Sequence, residues 1–278
     1  LGPAKGKDFA TSFGPYMVTP DELETARDTK GKFHLRMTCH VNEKLISDGN
    51  DIVDVTQETT TVPTNRQFAI ALDVETANKK FGIQQIVEQK SCVNLIGKTV
   101  TLSFQAKVSA TTNLDNVKAA IISWSGTADD PTDDMISAWG AEGTDPTLAT
   151  NFTYENTPAN LNLTTSYATY SVTATVDTAS AKNIIVFIWS DVTTTSAGEF
   201  LYVTDVKLEA GQTATPFEHE DFETTLARCG RYYQKWADVN WILGVEGTRN
   251  SKLPFQFSTL MRANPTCAIS GGSAANGA

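Results

Sequence analysis

From about residue 51 the apolar positions fall into a period of two. In "QFAIALDV", Phe68, Ile70, Leu72 and Val74 alternate with Gln67, Ala69, Ala71 and Asp73, the pattern of a strand with one buried face. In "KTVTLSFQAKVS", Val100, Leu102, Phe104, Ala106 and Val108 alternate with Thr99, Thr101, Ser103, Gln105 and Lys107, a full strand length with one face for the core and one for water. Further strands are predicted over 81–89, 117–125, 167–176, 183–191 and 200–209. Within 183–191, Ile185, Phe187 and Trp189 share a face, which predicts a buried tryptophan. Six to eight antiparallel strands joined by polar connections predict a two-sheet sandwich.

The period breaks in several places. Residues 126–166, "GTADDPTDDMISAWGAEGTDPTLATNFTYENTPANLNLTTS", form an excursion longer than a hairpin loop, of the kind that makes a lid or a partner surface. Residues 220–236, "EDFETTLARCGRYYQKW", lose the alternation and read as a short helix, with acids early and Arg228, Arg231 and Lys235 late, as the helix dipole favours. Two strand-like runs follow, "WILGVEG" and "LPFQFSTLM". Near the start, "TPDELETAR" predicts a short helix with Thr19 as N-cap, Pro20 at its first position and Glu22 closing a capping box. These breaks divide the chain into an N-terminal segment (1–50) acting as an attachment or partner arm, a β-sandwich (51–219), and a connector helix with a small partial β unit (220–278). The fold class is therefore all-β.

Composition narrows the possible chemistry. The 39 threonines favour pleated surfaces over helices. A net charge of −10 argues against nucleic acid, whose phosphates require clustered Lys and Arg. The longest apolar run, 184–189, falls far short of the ~20 residues of a membrane helix, so no membrane insertion is expected, and the first residues lack the apolar core of a signal peptide. Cys39, Cys92, Cys229 and Cys267 are scattered and read as free thiols. His34, Cys39 and His40 match no zinc spacing. No G-x-S-x-G, phosphate-binding loop or H-E-x-x-H motif occurs.

The succession "VTLSFQAKVS", "ATYSVTATVDTASAKNIIVFIWSD", "FLYVTDVKLEAGQTATPFEHEDFETTLARCGRYYQKW" and "LPFQFSTLMRANPT" resembles the jelly-roll module of bacteriophage tail and head fibre proteins, itself similar to carbohydrate-binding modules. "VKLEAGQTATPFEH" together with "RCGRYYQKW" carries most of the likeness. The resemblance implies that "KLEAG" ends the roll and "ATPFEH" leads into a connector helix. It further implies a non-enzymatic structural protein of the virion, a tail or head fibre, spike or decoration assembled in the host cytoplasm. Its expected partners are other virion proteins, copies of itself (a trimer) and host-surface glycans. The alternatives are a glycan-degrading enzyme and a secreted carbohydrate-binding module.

Carbohydrate-binding modules of this shape hold a structural Ca²⁺ near the last strand, and Asp205 matches an acidic ligand there, although Thr204 precedes it where the family shows a second acid. Calcium needs six to eight oxygens, so one carboxylate is a candidate ligand and no more. Asp129, Asp130, Asp133 and Asp134 lack the glycine and terminal glutamate of an EF-hand loop and read as a solvated acidic turn rather than a second cation site. Among the aromatics, Trp139 and Tyr154 lie in the excursion rather than in an alternating strand, which makes them the candidate sugar-stacking platform.

Overall fold

The computed structural model describes residues 38–41, 44–48, 52–131, 134–234, 257–262 and 264, the first two stretches as backbone only. The chain divides into two compact units, residues 34–217 and residues 1–33 with 218–278. In the first unit, β1 (Thr38–Val41) and β2 (Lys44–Asp48) form an antiparallel pair in a segment where no strand is predicted. The sandwich follows, with β3 (Val53–Glu58), β4 (Ala69–Val74), β5 (Phe81–Val87), the one-turn α1 (Gln89–Cys92), β6 (Thr99–Val108) and β7 (Val117–Trp124). The excursion contributes β8 (Ile136–Ala138), β9 (Thr147–Leu148) and β10 (Phe152–Tyr154), and β11 (Ala168–Thr175), β12 (Asn183–Ser190) and β13 (Phe200–Ala210) complete the roll.

One sheet has the order β10-β7-β12-β5 and the other β11-β6-β13-β4-β3, and every pairing is antiparallel. Each predicted strand of the sandwich is present. Between the sheets, Leu72, Leu102, Phe104 and Leu201 from one side meet Phe81, Ile121, Ile184 and Ile188 from the other, each side chain contributing roughly 1.5–3 kcal/mol by leaving water. Phe68 and Ile70 depart from the predicted buried face: Phe68 lies just outside β4, and both are exposed, whereas Ala69 and Ala71 of the opposite face are buried.

A second apolar cluster lies on the outward face of the four-stranded sheet. Ala120, Ile122 and Trp124 of β7, with Ile185, Phe187 and Trp189 of β12, are buried there with Met135 and Phe152 of the excursion. Every residue of β7 and β12 is consequently buried, on both faces. The excursion thus roofs this face with Met135, Ile136, Trp139 and Leu148, extends the sheet with β10, and sends Leu163 into the core between the sheets. Gly126 opens the roof where a Cβ would meet the Trp124 ring at 2.2 Å, and Trp124 Nε1 donates to the Thr127 carbonyl at 2.7 Å.

In the second unit, α2 spans Phe222–Gly230 and is capped by Asp221, whose carboxylate accepts from the Thr224 amide at 2.9 Å. The helix is shorter than the predicted 220–236. Beyond it the Gln234 amide donates to the carbonyls of Gly230 and Thr259 and accepts from the Ser258 amide. The helix predicted at 19–27 and the run "WILGVEG" lie outside the described residues. Of "LPFQFSTLM", the described residues 257–261 carry no strand.

Candidate functional site

A concavity lies at the β5 side of the four-stranded sheet, beside the roof. A pocket of about 190 Å³ is lined by Gly82, Gln84, Asp134, Met135, Ile136, Trp139 and Phe187. Its floor is the sheet: Phe187 of β12 pairs with Gln84 of β5, and Trp189 with Gly82. Gly82 is required there, because a Cβ would lie 2.6 Å from both the Ile188 carbonyl and the Trp189 Cβ. The floor is stiffened by the stacked Phe187 and Trp189 rings, 4.6 Å apart and 10° from parallel. Trp139 forms a half-buried wall, its ring centroid 6.2 Å from that of Phe187. Gln84 and Asp134 stand exposed at the rim. An aromatic wall beside an amide and a carboxylate can pack the apolar face of a sugar ring and bond its hydroxyls.

Tyr154, the other predicted platform residue, is not among the residues that line the pocket. Its hydroxyl donates to the Pro146 carbonyl at 2.9 Å, and its ring lies 6.5 Å from that of Trp189. Burial, with Asp145 and Asp191 nearby, pushes the phenol well above its ordinary pKa, so it remains a donor that ties the roof together.

Four charged residues hold the roof at its end nearest the start of β5. Lys80, preceding β5, and Asp191, following β12, form a buried ion pair. Lys118 of β7 pairs with Asp191 at 3.1 Å and with Asp145 of the roof at 2.8 Å. Burial works against the Lys118 charge, but the two carboxylates outweigh it and hold the lysine above its ordinary pKa. Sequence reasoning missed this set. The available signal was Lys118 itself, the one charged residue inside "VKAAIISW", whose other residues are apolar save Ser123.

Asp205 occupies a β-bulge, where β13 shifts register against β6 between Thr204 and Lys207. Its backbone is left-handed, at φ 53°, a conformation Asp tolerates better than most residues. Its side chain is 4% exposed. Both carboxylate oxygens accept from Arg66 Nε at 2.7 Å, and one also accepts from the Gln105 amide at 2.6 Å. A calcium ion would have to displace the guanidinium, and no cluster of three His, Cys, Asp or Glu side chains occurs among the described residues. These surroundings do not fit the calcium that the resemblance implies. In the acidic loop, Asp129 is no solvated turn residue, since its carboxylate accepts from the Gln89 backbone amide and the Asn183 side-chain amide, both at 2.7 Å. Asp133 lies outside the described residues. Of the four cysteines, Cys92 is a buried free thiol and Cys229 an exposed one.

The outward face of the five-stranded sheet carries aromatics as well, but they are already stacked. Lys107 Nζ lies 4.9 Å above the Tyr167 ring and 4.7 Å above that of Tyr202, and Phe200 stacks on Tyr202 at 5.5 Å. Burial, with Glu58 and Tyr202 adding to it, pushes the Tyr167 phenol up to about 12.

No protein-family model and no curated protein matches this sequence. Among solved structures, the chain is similar to the enzymatically active domain of tailspike protein 4 of bacteriophage CBA120, with 13% identity over 58% of this chain and 18% of that one and a TM-score of 0.37. It is similar to a family 16 carbohydrate-binding module, with 14% identity over 56% of this chain and 85% of that one and a TM-score of 0.34. It is also similar to the xylan-binding domain from Paenibacillus barcinonensis, with 9% identity over 58% and 80% respectively and a TM-score of 0.33. The carbohydrate-binding neighbours are β-sandwiches, and at such low identities none of these likenesses says anything about the pocket.

Proposed function

We propose that the chain is a non-enzymatic structural component of a virus particle, a fibre or spike protein, whose jelly roll contacts glycan through the Trp139 pocket. The pocket carries the glycan part of this reading, because it joins one aromatic wall to Gln84 and Asp134 on a rigid sheet floor. It is smaller than the ~300 Å³ at which pockets for drug-sized ligands begin, so it suits one sugar ring with the rest of a glycan outside. The virion part rests on the sequence resemblance through "VKLEAGQTATPFEH" and "RCGRYYQKW". Asp134 is the one carboxylate among the described residues lining the pocket, whereas glycoside hydrolysis ordinarily uses a pair. Self-association is part of the proposal, with a trimer favoured: Phe222, Leu226 and Tyr233 on and after α2 are all exposed, and Leu226→Glu should lower the sedimentation coefficient of the assembled species.

The test is a glycan array probed with the purified chain. A specific hit, lost in both Gln84→Ala and Trp139→Ala and retained in Tyr154→Phe, is the expected result. Gln84 is exposed, so its truncation leaves the fold intact. A hit that survives both substitutions would move the site elsewhere, and release of reducing sugar from the bound glycan would favour the enzyme instead.

A further inference from the structure

Lys80 has surroundings that an ordinary ion pair does not need. Besides Asp191, its Nζ lies 3.3 Å from the Trp139 carbonyl, 2.7 Å from that of Ala141 and 3.2 Å from that of Thr144. An ammonium has three hydrogens to donate, and four oxygens converge on this one. Three backbone carbonyls of a single loop turned inward beside one carboxylate form the donor set that hard metal ions take. The Lys80 side chain is 2% exposed and that of Asp191 0%, so the cage is shut off from solvent. We propose that Lys80 is a tethered cation standing where a bound metal ion would otherwise stand, and that it is the positioning residue for the 138–145 loop.

The flanking structure assigns the parts. Lys80 and Asp191 adjoin Phe81 and Ser190, which are paired across β5 and β12, so the cation and its counter-charge are fixed to the sheet. The loop is the part being held. The second carboxylate oxygen of Asp191 accepts from the Gly143 amide at 2.9 Å and meets Lys118 at 3.1 Å, and Lys118 reaches on to Asp145. The buried Lys80, Lys118 and Asp191 are brought to neutrality by the half-buried Asp145, as a charge cluster largely out of water requires. Without the ammonium, the carbonyls of Trp139, Ala141 and Thr144 lose its hydrogen bonds at once, Ala141 keeping the Thr144 amide, and the loop is left tied to the sheet by the Gly143 amide and Asp145, neither of which reaches those inward carbonyls. A metal could do the same work, but a chelator would remove it. The lysine cannot be chelated.

The consequence for the pocket rests on the glycan reading, but the cation does not, and the experiment separates them. In the full chain, hydrogen exchange of amides 139–144 is followed in Lys80→Ala and Lys80→Met. Both variants should lose protection by about tenfold or more, as local opening of the loop predicts. Methylammonium, on the order of tens of millimolar for a weak single-site ligand, should restore the loop in Lys80→Ala. Sodium chloride at equal ionic strength should not, and Lys80→Met should not respond, because its stem fills the space. Loop protection in Lys80→Met within twofold of the unmodified chain, or no rescue of Lys80→Ala, would overturn the proposal. If Lys80→Ala does not fold in plain buffer, refolding yield replaces exchange as the readout: a higher yield in methylammonium than in sodium chloride supports the cage, and equal yields overturn it. None of these readouts involves a glycan, so an empty array leaves them standing.

Discussion

The two outward faces of the sandwich are built from strands of similar length and end in opposite states. On the five-stranded sheet, β6 and β11 alternate, and their outward threonines form ladders in which the Thr101 and Thr173 hydroxyls bond at 2.9 Å and those of Thr99 and Thr175 at 3.1 Å. That face satisfies itself at the surface. On the four-stranded sheet, β7 and β12 are apolar on both sides, and their outward rows of Ile122, Trp124, Ile185, Phe187 and Trp189 need a cover. The excursion supplies it. An outward face that cannot be left to water requires a roof, and a roof with an open edge leaves a pocket; the polar face has no such need. The site therefore follows from hydrophobic surplus on one sheet.

The largest break in this contrast comes from truncating each face. Phe187→Ala removes a ring buried under the roof and should cost about 3–5 kcal/mol, the range for core aromatics. Thr173→Ala removes one rung of a surface ladder and should cost about 0.2–1 kcal/mol. Urea denaturation of the two variants measures both. Comparable losses would mean that the roof does not bury the face it covers.

A smaller effect belongs to the floor. Gly82→Ala places a methyl group against the Ile188 carbonyl and the Trp189 Cβ, which should cost about 1–3 kcal/mol by overpacking and should narrow the pocket. A denaturation midpoint that does not move would show that β5 can shift away from β12 without penalty.

Legibility in the sequence follows the same division. The alternating strands could be read directly, because period two in "VTLSFQAKV" separates an apolar face from a polar one, although Thr101 and Ser103 of the polar face are themselves buried. The doubly buried strands read as strands by length, and their double burial is signalled only by "VKAAIISW" and "NIIVFIWS" being near-continuous apolar runs of the kind that two-sided burial produces. Trp189 is buried on the face it shares with Ile185 and Phe187, as their spacing predicts. The pattern sets Trp139 and Tyr154 apart from the alternating strands; Trp139 lies in the pocket wall, whereas Tyr154 ends β10 and ties the roof through the Pro146 carbonyl. Asp205 could not be resolved from sequence at all. Its partner Arg66 lies 139 positions away, and nothing local distinguishes a carboxylate waiting for a cation from one already holding a guanidinium.

The charged anchor of the roof should show in pH dependence. The folded-state pKa of Lys118 is raised, so its contribution is fully present below the unfolded lysine value of about 10.4 and is lost as pH rises through the folded value above it. Hydrogen exchange or proteolysis in the roof should therefore be steady up to that point and increase beyond it. Lys118→Met should be less stable at neutral pH and lack that alkaline loss.

The smallest expected effect sharpens the contrast by reversing its sign. On the five-stranded sheet, the β3–β4 register sets Asp54 directly opposite Asp73, and Asp73 Oδ1 is buried without a hydrogen-bond partner. Burial first, and then the Asp54 charge, push the Asp73 carboxyl above its ordinary value. A carboxyl raised in the folded state binds its proton more tightly there than in the unfolded chain. The ionised pair is therefore a cost that is fully present above the folded pKa and relieved as pH falls toward the unfolded value of about 3.9. Asp73→Asn keeps the shape and removes the charge, so it should stabilise the protein at neutral pH by about 0.2–1 kcal/mol, the scale of like charges opposed across two strands. The gain should vanish as pH approaches the unfolded value. On the roofed face the same exchange at Asp145 should destabilise at neutral pH, because that carboxylate answers Lys118. Denaturation midpoints of both variants at two pH values decide the matter: an Asp73→Asn gain that persists in acid would show that something other than charge is relieved there.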